Sequence, residues 1–221
     1  GNHDATIELD GDNKLKSGSA HAGLEHNKTD TSGELTIQDN NKDGGSLKAT
    51  GGQFGAGIGG AGVNDAQVKI TGGKITATGG EFGAGIGGGF KGSGDVTIEG
   101  NTEVNAAGGT GGAGIGSGAG DAKANITLEG KVTIVAKAGD GNVAIGDING
   151  EQELNGLAPG SNVTRSDSEG NDISLPGDKV PTPSGGDTAG GGSTDGDSAG
   201  GGSAGGDSAG GGSTGGGSTG G

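Results

Sequence analysis

The sequence predicts an all-β fold, a single-stranded parallel β-helix of about five three-sided rungs, and three observations predict it. Residues 54–60 read FGAGIGG, residues 82–88 repeat that string, and residues 111–116 read GGAGIG. Within each string apolar residues alternate with glycine, the period of an extended strand with one buried face. The third observation is compositional: 62 glycines, 3 phenylalanines and no Tyr, Trp, Met or Cys cannot fill a globular core. Small apolar groups can still be buried if thin units stack on one another.

The units can be laid out in order. Ile37, Ile70, Ile98 and Leu128 stand in similar contexts (LTIQ, VKIT, VTIE, ITLE), as do Leu47, Ile75, Val104 and Ile134, and then Ile58, Ile86, Ile115 and Ile145. The second and third sets keep one interval in every unit, whereas the first interval varies and locates a variable corner. Residues 39–45, DNNKDGG, form the largest insert there. A degraded first unit is traced through Ile7, Leu15 and Leu24, which gives a period of about 30 residues. Five rungs at about 4.8 Å each predict a stack roughly 24 Å tall over residues 1–150. Stacking predicts a ladder of Phe54 over Phe82, both pointing inward, and leaves Phe90 as the exposed aromatic. On the first side it predicts outward columns Thr6, Thr36, Lys69, Thr97, Thr127 and Glu8, Gln38, Thr71, Glu99, Glu129. Glu99 above Glu129 would repel unless a cation lies between them.

From residue 151 the repeat fades, and residues 151–183 are expected to form an irregular last rung or a cap. Residues 184–221 carry Gly, Ser, Thr and Asp without an apolar anchor and are expected to be a flexible tether. The absence of Met implies an initiator upstream of Gly1, and the chain reads as an excerpt of a longer protein.

A formal charge of −15 argues against nucleic acid as a partner. No apolar run approaches the ~18 residues of a membrane span. Asp39, Asn41 and Asp43 precede Gly44 with the spacing that opens a calcium loop, but position twelve is Thr50 rather than Glu, so a polar corner insert competes with a calcium site. Asp10, Asp12 and Asn13 occupy the same corner of the first unit. His3, His21 and His26 have no convergent partners in the pattern, and Arg165 is the lone arginine, outside the clear repeats. A lyase or hydrolase is therefore not expected, and no cofactor is required. The Thr76-x-Thr78 pair is not repeated on neighbouring rungs, which removes an ice-binding array. Gly57, Gly85 and Gly114 would leave a strip of bare backbone, an expected docking face together with Phe90; the competing reading is that glycine serves only tight corners.

The stretches VKITGGKITATGGEFGAGIGGG and VTIEGNTEVNAAGGTGGAGIGSG resemble the GAGIGG-repeat parallel β-helices of secreted surface proteins of Gram-positive bacteria, over residues 5–150. The resemblance implies an adhesin-like or carbohydrate-binding-like, noncatalytic module outside the cell, with a host or environmental glycan or protein as partner. It transfers no catalytic residue. A calcium-assisted polysaccharide-binding domain of a larger carbohydrate-active protein and a structural spacer or stalk are the alternatives.

Overall fold

The computed structural model describes residues 3–29 and 33–183. They belong to one compact unit, Gly1–Ser184; the expected tether, residues 184–221, lies outside the described residues. The chain winds as a parallel β-solenoid of about five turns. The first rung comprises Ala5–Glu8, Asp12–Lys16 and Leu24–Glu25, and the second Leu35–Gln38, Ser46–Thr50 and Ile58–Gly59. In the third and fourth, the first two sides fuse into the continuous strands Ala66–Thr78 and Gly94–Ala107, followed by Ile86–Gly87 and Ile115–Gly116. The fifth comprises Ala124–Leu128, Val132–Lys137 and Ile145–Asp147. First and second sides make a nine-stranded sheet, and the third sides belong to a six-stranded one.

Alternation decides which residues enter the core. The isoleucine columns pair in the expected register: Ile7, Ile37, Ile70, Ile98 and Leu128 on the first side, Leu47, Ile75, Val104 and Ile134 on the second, and Leu24, Ile58, Ile86, Ile115 and Ile145 on the third. Beside the second column runs one of small residues, Ala49, Ala77, Ala106 and Ala136. The first-rung residue opposite Leu47 is Asn13, and Leu15 instead faces Ala49. At the end of the stack Leu15 is 39% exposed.

The corner between the first and second sides absorbs the length differences. Strand pairing shifts between Ile70 and Gly72, where the partner strand carries an extra residue around Gly100, held at φ 78°. Leu9, which the repeat pattern does not single out, is buried beneath this corner. A Cβ on Gly45 would come within 2.6 Å of its side chain, so glycine lets the insert close over it.

Residues 151–183 close the far end. Gly150–Glu151 turns back antiparallel onto Ile145–Asp147, and Asn162–Ser166 adds a parallel strand beside Val132–Lys137. Leu154, Leu157 and Ile173 pack against the core. Arg165 continues the alanine column inward and is fully buried. Its Nε and Nη2 donate to Asp178 at 2.9 and 2.8 Å, and its Nη1 donates to Glu151 at 2.6 Å. Glu151 also accepts the N–H groups of Ala144 and Ile145. The one arginine is thus a clamp across the end of the solenoid.

Candidate functional site

The glycine string is not a bare outer strand. Only Ile58–Gly59, Ile86–Gly87 and Ile115–Gly116 are extended there, and Gly57, Gly85 and Gly114 are all buried. A Cβ on Gly57 would lie 2.6 Å from the Gly85 carbonyl oxygen and 2.7 Å from the Thr78 nitrogen. One on Gly114 would lie 2.6 Å from the Ala144 carbonyl oxygen and 2.8 Å from that of Lys137. These glycines permit two backbones to approach each other, and the expected docking strip is closed to a partner.

The phenylalanines depart from expectation for the same reason. Phe54 and Phe82 stack, with centroids 5.4 Å apart and planes 16° off parallel, but both are only partly buried. Phe90 leans on the pair, at 5.8 Å from Phe54 and 5.5 Å from Phe82, and like them is partly buried. Lys91 Nζ lies 5.2 Å from the centre of the Phe90 ring. The Phe54–Phe82 stack occupies a face of each ring, and Lys91 lies over Phe90, so the cluster is a staple across the corners rather than an open sugar platform. Phe82→Ala should therefore lower stability by about 1–3 kcal/mol in urea unfolding. Retained binding to any ligand of the intact chain would accompany that loss.

At the insert, Asn41 donates its amide to Asp43 Oδ2 at 2.9 Å. Asp39 keeps one carboxylate oxygen buried without a hydrogen-bond partner. Burial, then the charges of Asp10 and Asp39, push the Asp43 carboxyl up from its ordinary value. Among the described residues no group of three His, Asp or Glu side chains converges as a metal site. Asp39 also lines an open groove of 370 Å³ with Lys74, Asn101 and Glu103. Because its folded pKa is raised, Asp43 favours folding when protonated; that contribution is complete below the ordinary carboxyl pKa and is lost as pH rises through the raised value. Asp43→Asn is therefore expected to raise the melting temperature at pH 7 and leave it unchanged at pH 3, which paired thermal melts would check.

Of the remaining candidate side chains, His26 keeps a buried Nδ1 without a hydrogen-bond partner, and two others are engaged elsewhere. His21 Nδ1 is 2.8 Å from Glu25 Oε2, and Arg165 is consumed by the end clamp. Glu99 does not face Glu129 uncompensated, since Lys69 Nζ lies 3.0 Å from it. Glu99 first, with Glu34 and Glu129 behind it, holds the Lys69 ammonium above its usual range.

One surface that stays open is the outward face of the second side, from Asp12–Lys16 to Asn162–Ser166. One column there is Lys14, Lys48, Thr76, Asn105, Val135 and Thr164; a second is Lys16, Thr50, Thr78, Ala107, Lys137 and Ser166. The repeat pattern contained these columns, but they emerge only when each second-side strand is read outward as well as inward. No helix among the described residues is long and apolar enough to cross a membrane. No family model matches the chain, and neither a curated protein nor a solved structure matches it.

Proposed function

We propose that the chain is a noncatalytic binding module of a secreted or cell-surface bacterial protein, with a glycan or protein as its partner. The observation that carries this reading is the second-side face, whose outward columns are fixed to the rung spacing by a continuous parallel ladder. Such a surface suits an extended ligand, because the backbone ladder fixes the spacing of its side chains before binding and only their rotamers remain to be ordered. Two of the candidate side chains are taken up in structural contacts: Arg165 is buried in ion pairs, and His21 is bonded to Glu25.

A calcium-assisted variant is favoured by one observation, the unpartnered buried oxygen of Asp39 beside the mutually repelling Asp10 and Asp43. A glycan array probed with the chain, with and without calcium and with chelator, tests both. Binding that survives the chelator supports the metal-independent module, and binding lost to the chelator supports the variant. Silence across the array, together with no capture of purified extracellular-matrix proteins, would overturn the binding reading.

A further inference from the structure

The acidity of this chain is unevenly distributed. Against 28 Asp and Glu there are only 13 Lys and Arg, yet Lys14, Lys16, Lys48, Lys74 and Lys137 all lie on the outward face of the second side. Lys74 is paired with Glu103 at 2.8 Å. Lys14, Lys16, Lys48 and Lys137 have no ion-pair partner among the described residues. Lys14 and Lys48 sit directly opposite each other in adjacent strands, a like-charge pairing that weakens a sheet. The fold therefore gathers Lys14, Lys16 and Lys48 at one end of this face and Lys137 further along it, with Asp12, bonded to Ser46, and Glu103, paired with Lys74, in the adjoining column. Screening confines the repulsion of distant acids to about 8–10 Å at physiological salt, so the local sign of this face governs what settles on it.

We infer that this face binds an extended acidic polysaccharide lying along the solenoid axis. This rests on the reading of the chain as a binding module and names its ligand class. Its geometry argues for a polymer. Lys16 and Lys137 stand in one column, separated by Thr50, Thr78 and Ala107, which is roughly 19 Å at one strand spacing per step. A small anion cannot touch both. Between the cations lie hydroxyl and amide groups, Thr76 and Asn105 among them, which suit sugar hydroxyls. Single-stranded nucleic acid is bound on aromatic platforms interleaved with basic side chains, and neither column contains an aromatic or an arginine within the span from Lys14 to Lys137. A second copy of the chain offers a poorer counterpart. On its first side Glu99 is neutralised by Lys69, Asp95 by Lys28, and Glu8 is occupied by Gln38 and the Asn40 and Asn41 N–H groups, which leaves Glu129 as the one carboxylate of the Glu8–Glu99 column outside both these hydrogen bonds and the ion pairs of the described residues.

The test measures binding of the full chain to polygalacturonate, dextran sulfate, unmodified dextran and oligo-dT at 50 and 300 mM salt, for the parent and for K14Q/K16Q/K48Q/K137Q. These side chains are exposed, and a cooperative circular dichroism melt of the ligand-free variant, at or above the parent's because the Lys14–Lys48 repulsion is gone, confirms its fold. The inference expects binding to the acidic polysaccharides, weakened by salt and reduced about tenfold or more in the variant. It also expects a higher melting temperature of the parent on binding, as the repulsion between Lys14 and Lys48 is relieved. Equal binding by parent and variant, tighter binding of oligo-dT than of either acidic polysaccharide, or no binding to any acidic polymer would overturn it. Binding to unmodified dextran that is indifferent to the four substitutions would remove the cationic face while leaving the binding module in place.

Discussion

Replacing Arg165 by leucine is expected to cost about 3–5 kcal/mol of stability, the range for removing one partner of a buried ion pair. Asp178 is 1% exposed and Glu151 is held between the guanidinium and two backbone N–H groups. Without the arginine, Asp178 is left as a buried carboxylate held only by the Leu175 N–H. The effect should centre on the end of the solenoid, so amide exchange should accelerate first in Asn162–Ser166. Arg165→Lys should rescue only part of the loss, because an ammonium cannot reproduce the two-pronged contact with Asp178. Combining Arg165→Leu with Asp178→Leu should recover stability relative to Arg165→Leu alone, since the uncompensated charge is gone. Urea unfolding would read all three variants, and a loss below about 1 kcal/mol for Arg165→Leu would contradict the clamp.

Gly85→Ala is expected to cost about 3 kcal/mol, at the upper end for overpacking a filled interior. The added methyl would stand 2.5 Å from the Gly114 carbonyl oxygen and 2.8 Å from the Ala107 nitrogen and carbonyl oxygen. Every one of those atoms is backbone, held by the rung ladder, and cannot turn aside as a side chain would. The chain itself supplies a comparison: the residue equivalent to Gly114 in the fifth rung is Ala144, just before the Ile145 that pairs with Ile115. There the regular stack ends, and the next strand is an antiparallel return. Gly18→Ala is the control, since nothing lies within 4 Å of that position; it should change stability by no more than about 0.5 kcal/mol. Equal urea midpoints for the two variants would show that close backbone approach is not what requires glycine at position 85.

The rungs were legible because two signals agreed: a fixed interval between the second and third sides, and alternation within each strand. Where one signal is missing, the sequence does not determine the register. Leu15 was aligned with Leu47 although it pairs with Ala49, because a shift of two residues preserves the buried face and alternation cannot detect it. Phe54, Phe82 and the glycines were read as if strand parity ran through the whole string. It does not, because the strands there are two residues long and the preceding residues turn. The role of Arg165 was hidden for a different reason. Its place in the alanine column depends on a pairing across a stretch with no repeat to count by.

The insert could be located by length alone, but its carboxylates could not be placed, since loop geometry follows from contacts with Leu9 and Gly73 that lie far apart in sequence. The repeat interval alone aligns Lys48 with Thr76, Asn105 and Val135, and Thr50 with Thr78, Ala107 and Lys137; the strand register adds Lys14 and Lys16 to these columns.

The fused strands Ala66–Thr78 and Gly94–Ala107 bear on how the chain reaches this structure. They pair along almost their whole length, so together they offer the largest reward for the first loop closed. Each later rung closes a loop of about 30 residues, at a cost near 3 kcal/mol by (3/2)RT ln n. That cost is the same for every rung and is met by contacts with a neighbour already in place. Folding should therefore start in the middle of the sequence and advance toward both ends, with the Arg165 clamp among the last contacts to form.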